Sequence, residues 1–249
     1  MNKKIAAVVC GALAVSCIVT VPILKSKGVF SDGNSEKYSV ANTAADENSP
    51  LKGKKIIFLG SSVTFGSASK EESFVEFLAK KDGVIPVKEA VSGTTLVDNG
   101  DDSYIARMKT IDTGIEADAF ICQLSTNDAT KKLPVGEIAE GFDMNSFDTQ
   151  TVAGAIEYVI AYAKQTWSCP VIFYTGTQYD SEQYEQLVSL LIDIQKKWDI
   201  GVIDLWNNPM NNIPKEKYKL YMANGIHPTR AGYREWWLPE FEKYLYANI

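Results

Sequence analysis

The stretch Lys54-Lys-Ile-Ile-Phe-Leu-Gly-Ser-Ser-Val63 contains the pattern that decides the fold class. Two lysines precede an apolar run, Ile56 to Leu59, and the run ends at Gly60. A short apolar run without polar alternation is typical of a strand that is buried on both faces of a parallel sheet. The hydroxyl-rich turn that contains Ser62 follows this strand directly, so either a helix cap or a reactive serine is expected there.

The rest of the chain alternates short apolar runs with amphipathic segments. Further strands are predicted near Val87–Val91, Ala119–Leu124, Val171–Tyr174 and Gly201–Leu205. Apolar residues at helical spacing predict a helix after a capping box at Ser69–Glu72, and others that include Val152, Tyr184 and Tyr233. Strands that alternate with helices predict an α/β fold with a central parallel sheet of about five strands, covered on both faces.

Length and composition favour one folded catalytic or binding domain. The chain has 249 residues, of which 45% are hydrophobic, with 17 Gly, 9 Pro and 4 Cys, which excludes collagen-like, disordered and disulfide-scaffold proteins. The net charge is −6, but residues 1–27 contain four lysines and no acid, so the remainder carries about −10. Such a surface repels phosphates, and no nucleic acid partner is expected.

The first 27 residues are predicted to form a membrane anchor or a signal segment. An apolar run from Ile5 to Leu24 follows two lysines, and its length of about twenty residues suits a bilayer-spanning helix better than a cleaved signal peptide. Residues 28–50 are polar and small, which predicts a flexible linker, and residues 51–249 then form the domain. We expect an anchored, extracytoplasmic protein, with secretion as the alternative.

Four polar loops follow predicted strands or precede the last helix. They contain Ser62, Gly93 in Ser92-Gly-Thr-Thr95, Asn127 in Ser125-Thr-Asn-Asp128, and His227 in Asn224-Gly-Ile-His-Pro228. The carboxyl ends of parallel strands share one edge of the sheet, so these loops are expected to converge there. Together they supply a hydroxyl nucleophile, a backbone donor, an amide donor and an imidazole base, which is the equipment of acyl transfer.

This arrangement resembles the SGNH hydrolases, also called the GDSL esterase/lipase family. Gly60-Ser-Ser62-Val is similar to the Gly-Asp-Ser-Leu block, Gly93 and Asn127 match the second and third blocks, and Gly225-Ile-His227-Pro resembles the fourth. The resemblance implies a flavodoxin-like α/β/α sandwich that hydrolyses esters with Ser62 as nucleophile and His227 as base. It further implies an oxyanion hole made of the Ser62 and Gly93 N–H groups and the Asn127 side chain, and no metal or organic cofactor.

The sequence departs from the family most seriously at Asn224, where an aspartate that orients the histidine is expected. Ser61 and Ser125 also replace an aspartate and a glycine of the family pattern. An Asp→Asn change lowers kcat about ten-thousand-fold in a serine protease because the histidine takes the wrong tautomer. Three hypotheses follow: a Ser–His dyad, an acid such as Asp204 as substitute, or a domain that has lost most of its catalysis.

The preferred function is an extracytoplasmic serine esterase that removes short acyl groups, above all acetyl, from cell-surface or dietary carbohydrate. Its partners would be a small-molecule or glycan ester and, through the N-terminal segment, a membrane; the sequence leaves the oligomeric state open. One alternative is a catalytically impaired, tethered glycan-binding module that stacks sugars on aromatic residues. These would be Tyr104, Trp206, Tyr218 and Tyr221. A lysophospholipase or thioesterase is the other alternative. The insertion Ala129–Gln150 is expected to form one wall of the pocket.

Overall fold

The computed structural model of the protein describes residues 31–249, in which five strands form one parallel sheet. The strands are β1 (Lys55–Gly60), β2 (Ile85–Ala90), β3 (Ala119–Gln123), β4 (Val171–Tyr174) and β5 (Gly201–Ile203). Their order across the sheet is β2-β1-β3-β4-β5, and every neighbouring pair is parallel. The prediction of a five-stranded α/β fold is confirmed, and each strand lies within a few residues of its predicted position.

Helices cover both faces of this sheet. They are α1 (Ser62–Phe65), α2 (Phe74–Asp82), α3 (Tyr104–Met108), α4 (Thr126–Thr130), α5 (Val152–Trp167), α6 (Glu182–Trp198), α7 (Lys215–Tyr221), α8 (Arg230–Gly232) and α9 (Leu238–Asn248). A π-helical turn, Tyr233–Trp237, joins α8 to α9. Pro239 lies in the first turn of α9, where its missing N–H has no cost, so the last helix restarts there.

Two apolar cores lie on opposite faces of the sheet because strand side chains alternate between faces. Ile57 and Leu59 of β1 belong to the core that α5 and α6 cover. Ile56 and Phe58 point the other way, into the core that α2 and α9 cover. Both faces of β1 are buried, and for this reason its apolar run is continuous.

The order of the strands places a ligand crevice at the ends of β1 and β3. The chain passes from β1 to β2 on one side, and then returns to β3 on the other side of β1. Loops that leave neighbouring strands in opposite directions open a crevice at the carboxyl edge of the sheet. The loops that contain Ser62 and Asn127 follow β1 and β3 at this point.

Two local predictions are wrong. The capping box of α2 is formed by Ser73 and Glu76 and not by Ser69–Glu72, because Ser73 caps the helix and the Glu76 side chain accepts from the Ser73 N–H. Residues 31–50 are also not a flexible linker. They form three 3₁₀ turns that pack on the domain, with Tyr38 buried. The predicted anchor, residues 1–27, lies outside the described residues, and within 31–249 we find no helix long and apolar enough to span a bilayer.

Candidate active site

Ser62 lies where strand β1 gives way to helix α1. A Cβ atom at Gly60 would lie 1.8 Å from Thr64 Oγ1, so only glycine allows the chain to turn this tightly. The Ser61 N–H donates to Gln123 Oε1 over 3.0 Å, and the Thr64 hydroxyl donates to the same oxygen over 2.9 Å. Gln123 is the buried last residue of β3. A side chain from the neighbouring strand therefore fixes the turn that presents Ser62.

His227 is held between Ser62 and Asn224. Its Nε2 atom lies 2.8 Å from Ser62 Oγ, and its Nδ1 atom lies 3.0 Å from Asn224 Oδ1. Asn224 Oδ1 also accepts the backbone N–H groups of Ile226 and His227, each over 3.0 Å. Two N–H donors require an oxygen as acceptor, so they fix which end of the Asn224 amide is the oxygen and which is the nitrogen. Nδ1 of a neutral imidazole must then hold the ring proton, and Nε2 is left to accept the proton of Ser62.

The electrostatics of His227 differ from those of a complete triad. Burial lowers the pKa of His227 below its ordinary value of 6.5, because the charged ring loses hydration. Asp204 does not act as its partner, since that carboxylate accepts from Thr175 Oγ1 over 3.3 Å and from Asn207 Nδ2 over 2.7 Å. The amide of Asn224 thus sets the tautomer and the ring orientation but adds no charge.

The expected oxyanion donors lie on the same edge of the sheet. Gly93 has a φ of +86°, which glycine adopts without strain, and no atom lies within 4 Å of the place a Cβ would occupy. Asn127 Nδ2 donates one N–H to Thr94 O over 2.9 Å, and its second N–H has no acceptor among residues 31–249. The N–H of Ser62, at the start of α1, has no intrahelical acceptor. Together these groups can stabilise an oxyanion.

Ser125 and Asp128 fix the loop of Asn127. Ser125 is the N-cap of α4, and its hydroxyl accepts the N–H of Asn127 over 3.2 Å and that of Asp128 over 3.3 Å. The serine at this family position therefore aims Asn127. The Asp128 carboxylate accepts the N–H groups of Leu96 and Val97 over 2.9 and 3.0 Å. These two hydrogen bonds tie the loop of Gly93 to α4, and burial of the carboxyl group raises the pKa of Asp128.

Arg107, which no motif of the sequence indicated, joins the turn of Ser62 to the loop of Gly93. Its Nη2 donates to Gly60 O over 2.8 Å and to Thr94 Oγ1 over 3.0 Å, and its Nη1 donates to Glu89 O over 3.1 Å. The side chain is buried although it is charged. A charged residue inside the apolar pattern of Tyr104–Met108 is the signal that could have found it. Arg107 thereby holds the ends of β1 and β2 together under the site.

An open cleft of about 910 Å³ borders the Asn224–Ile226 segment. Its other walls come from the end of α4 and the residue after next, from the loop before α6, and from the first turns of α6, namely Ala129, Thr130, Lys132, Tyr179, Asp180, Ser181, Glu182, Gln183 and Gln186. Only the first residues of the insertion Ala129–Gln150 line the cleft. Further along, Phe142 and Phe147 pack on Trp198 instead. The insertion thus forms a smaller part of the wall than the sequence predicts.

The aromatic residues proposed to stack on sugars are placed differently from the prediction. Tyr104 is fully buried, and Trp206 and Tyr221 are almost as buried. Tyr218 packs edge-on against Trp236, with ring centroids 6.4 Å apart. These rings belong to the packing of the domain and offer no sugar platform. The ring that lines the cleft is Tyr179, which sequence analysis did not single out because its loop has no periodic pattern.

Comparison with known proteins gives a family match that covers most of the chain. The family described as GDSL-like lipase/acylhydrolase matches residues 58–235, which include every candidate site residue. No curated protein matches the chain significantly in sequence.

Solved structures share the fold at low sequence identity. A Lactobacillus plantarum protein is 17% identical, covers 80% of this chain and 99% of its own, and has a TM-score of 0.67. A member of the lipolytic G-D-S-L family from Veillonella parvula is 18% identical, with coverages of 76% and 96% and a TM-score of 0.54. A family two carbohydrate esterase from Clostridium thermocellum, solved with cellohexaose, is 14% identical, with coverages of 82% and 65% and a TM-score of 0.54. These likenesses establish the fold.

Proposed function

The chain belongs to the GDSL-like lipase/acylhydrolase family, and on that premise we propose that it is a serine esterase that removes short acyl groups, chiefly acetyl, from carbohydrate. The observation that carries the proposal is the hydrogen-bonded series Ser62–His227–Asn224 beside an open cleft with many hydrogen-bonding side chains in its walls. Ser62 is the nucleophile, His227 the base, and Asn224 the residue that orients the base.

The geometry accounts for both halves of ester hydrolysis. Ser62 Oγ attacks the carbonyl carbon while its proton passes to His227 Nε2, 2.8 Å away. The oxyanion that forms accepts from the N–H groups of Ser62 and Gly93 and from Asn127 Nδ2, each donor contributing about 3 kcal/mol by analogy with known oxyanion holes. His227 then protonates the leaving alcohol. In the second half, a water gives a proton to His227 Nε2 while the water oxygen attacks the acyl carbonyl carbon. The bond between that carbon and Ser62 Oγ then breaks, and His227 returns the proton to Ser62 Oγ, which releases the carboxylic acid.

The cleft favours a polar alcohol over a lipid. Its walls present a lysine, acids, amides and hydroxyls, which can hydrogen-bond to sugar hydroxyls. The large apolar side chains exposed in residues 31–249 are Ile85, Val91, Phe142 and Tyr246, and the cleft has none of them in its walls. A long acyl chain would need an apolar surface to leave water. The fold shared with a carbohydrate esterase supports the same substrate class.

We also propose that the domain works outside the cytoplasm. The support is the apolar run Ile5–Leu24, flanked by Lys3, Lys4 and Lys25, which suits an anchor or an export signal. A tethered esterase would stay close to cell-surface glycans, which agrees with the hydrogen-bonding side chains in the walls of the cleft.

Ser62→Ala tests the mechanism. The variant should lose at least about a thousandfold in kcat on an aryl acetate, because no other group replaces the nucleophile. Ser67→Ala is the matched control, since this hydroxyl lies in the same loop and its removal should leave kcat unchanged. Full activity of Ser62→Ala with an unchanged circular dichroism spectrum would remove Ser62 from the mechanism.

A substrate panel tests the specificity. The parent should release acetate from acetylated oligosaccharides faster than it hydrolyses octanoyl esters or lysophospholipid. The reverse order would favour the lysophospholipase or thioesterase alternative and contradict the carbohydrate proposal.

A further inference from the structure

We propose that residues 31–50, here called the N-terminal strap, position the catalytic base, and that Asn34 is the residue through which they do so. This inference rests on the proposed function, since it concerns the geometry between Ser62 and His227. The strap lies outside the family match, which begins at residue 58.

Asn34 joins the loop of the nucleophile to the loop of the base. Its Nδ2 donates to Ala68 O over 2.7 Å, and its Oδ1 accepts the Arg230 N–H over 2.9 Å. Ala68 follows Ser67, whose N–H donates to Ser62 O over 3.0 Å. Arg230 follows His227 by three residues, with Pro228 between them. One buried amide therefore bridges the two segments whose separation sets the Ser62–His227 hydrogen bond.

The strap fits closely against the loop of the base at a second point. A Cβ atom at Gly33 would lie 1.9 Å from Leu220 O and 2.4 Å from Thr229 Oγ1, so the strap backbone touches the residues on either side of this loop, at the end of α7 and the start of α8. Thr229 Oγ1 in turn donates to Leu220 O over 2.7 Å. Only a glycine fits there, and the contact places Asn34, the next residue, at Arg230.

Ionic contacts add to this attachment. The Arg230 guanidinium pairs with Glu36 of the strap over 3.3 Å and with Glu72 over 2.5 Å. The other oxygen of Glu72 accepts the Val40 N–H of the strap over 2.9 Å. The pair with Glu72 is mostly shielded from water and holds Arg230 more firmly than an exposed ion pair would, whereas the pair with the exposed Glu36 adds little. The strap, the segment after α1 and the start of α8 thus form one connected unit.

The domain has another contact between the two catalytic segments, which sets the size of the expected effect. The Tyr233 hydroxyl donates to Val63 O over 2.7 Å and joins the π-helical turn to α1. Removing the Asn34 bridge should therefore misplace His227 only partly. We expect kcat to fall by about tenfold, less than the hundredfold that a displacement of about 1 Å can cost.

The test is Asn34→Ala in the full chain, with Ser49→Ala as the matched control. Ser49 is also a buried polar residue of the strap, but its hydroxyl donates to Asp82 Oδ1 over 2.7 Å, at the opposite edge of the sheet. Active sites are counted by the burst of product from an aryl acetate, so that kcat refers to folded enzyme. Asn34→Ala should lower kcat while KM stays within about twofold, and it should slow inactivation by a small fluorophosphonate to the same extent. Ser49→Ala should lower Tm alone.

Three outcomes decide the proposal. Parental kcat in Asn34→Ala, or an equal loss of kcat in Ser49→Ala, would mean that the strap only stabilises the fold. If Asn34→Ala does not fold, Asn34→Asp replaces it. The carboxylate of Asn34→Asp still accepts the Arg230 N–H but cannot donate to Ala68 O. A kcat of Asn34→Asp equal to that of the parent would then overturn the proposal. An active Ser62→Ala variant would instead overturn the proposed function, so the two failures are distinguishable.

Discussion

Asn224→Asp tests whether this site lacks only the charge of a complete triad. The carboxylate would accept the same two backbone N–H groups and the His227 Nδ1–H, so the geometry should persist. What changes is the charge beside the imidazolium that forms as Ser62 attacks. The substitution therefore isolates the electrostatic part of the triad from its orienting part.

The size of the effect follows from the distance and the exposure. Asn224 Oδ1 lies 3.0 Å from His227 Nδ1, and residue 224 is exposed. Two unit charges about 4 Å apart attract by about 4 kcal/mol at an effective dielectric of about 20, and by about 1 kcal/mol in water. For an exposed carboxylate we expect the imidazolium in the transition state to be stabilised by roughly 1–2 kcal/mol, which corresponds to about a five- to thirty-fold rise in kcat.

The assay is the pH profile of aryl acetate hydrolysis for the parent, Asn224→Asp and a control. The new carboxylate stabilises the charged ring and raises the pKa of His227, so the limb governed by loss of its proton moves to higher pH. Rates are compared on the plateau at pH values above the acid limbs of both profiles, where His227 is neutral in each protein. Asn248→Asp is the control, since it makes the same change in an exposed residue that shares a surface cavity with Gly201, at the opposite edge of the sheet.

A rate of Asn224→Asp equal to or below that of the parent on this plateau, with an unchanged Tm, would refute the reasoning. It would mean that charge beside His227 does not limit the reaction and that orientation by the amide suffices. A rise of the same size in Asn248→Asp would trace the gain to net charge and not to the triad.

Four further predictions concern the parent, Arg107 and the N-terminal region. Because burial lowers the pKa of His227, the acid limb of kcat/KM for the parent should have its midpoint below 6.5; a midpoint above that value would contradict the structure. Arg107→Lys keeps the charge but loses the forked contact, and should lower kcat about tenfold with little change in KM; equal losses in kcat and in substrate binding would argue against a role in holding the oxyanion loop. A chain that begins at residue 51 should have a lower Tm than one that begins at residue 31, as measured by calorimetry. The full chain should fractionate with membranes, and recovery of a processed, freely secreted form would show that Ile5–Leu24 is a cleaved signal.

The sequence by itself determined the sheet and the loops that meet at its edge. The run Ile56–Leu59 and its counterparts before Asn127 and after Cys169 are local signals, because burial on both faces of a parallel strand demands apolar residues at every position. Strand ends of a parallel sheet lie on one edge, so the loops that contain Ser62, Gly93 and Asn127 could be assigned to the same edge of the sheet without coordinates.

The tertiary structure decided how that site is held. The tautomer of His227 depends on two backbone N–H groups that turn the amide of Asn224, which no spacing in the sequence indicates. The sequence of the strap predicted a linker because its small polar residues show no periodicity. In the structure, however, Asn34 Oδ1 accepts a hydrogen bond from the N–H of Arg230, 196 residues away. Periodicity reports which face of an element is buried, whereas a polar contact between distant segments depends on where the folded chain brings its donors and acceptors together. The fold was therefore predictable from local pattern, and the arrangement that orients the base was not.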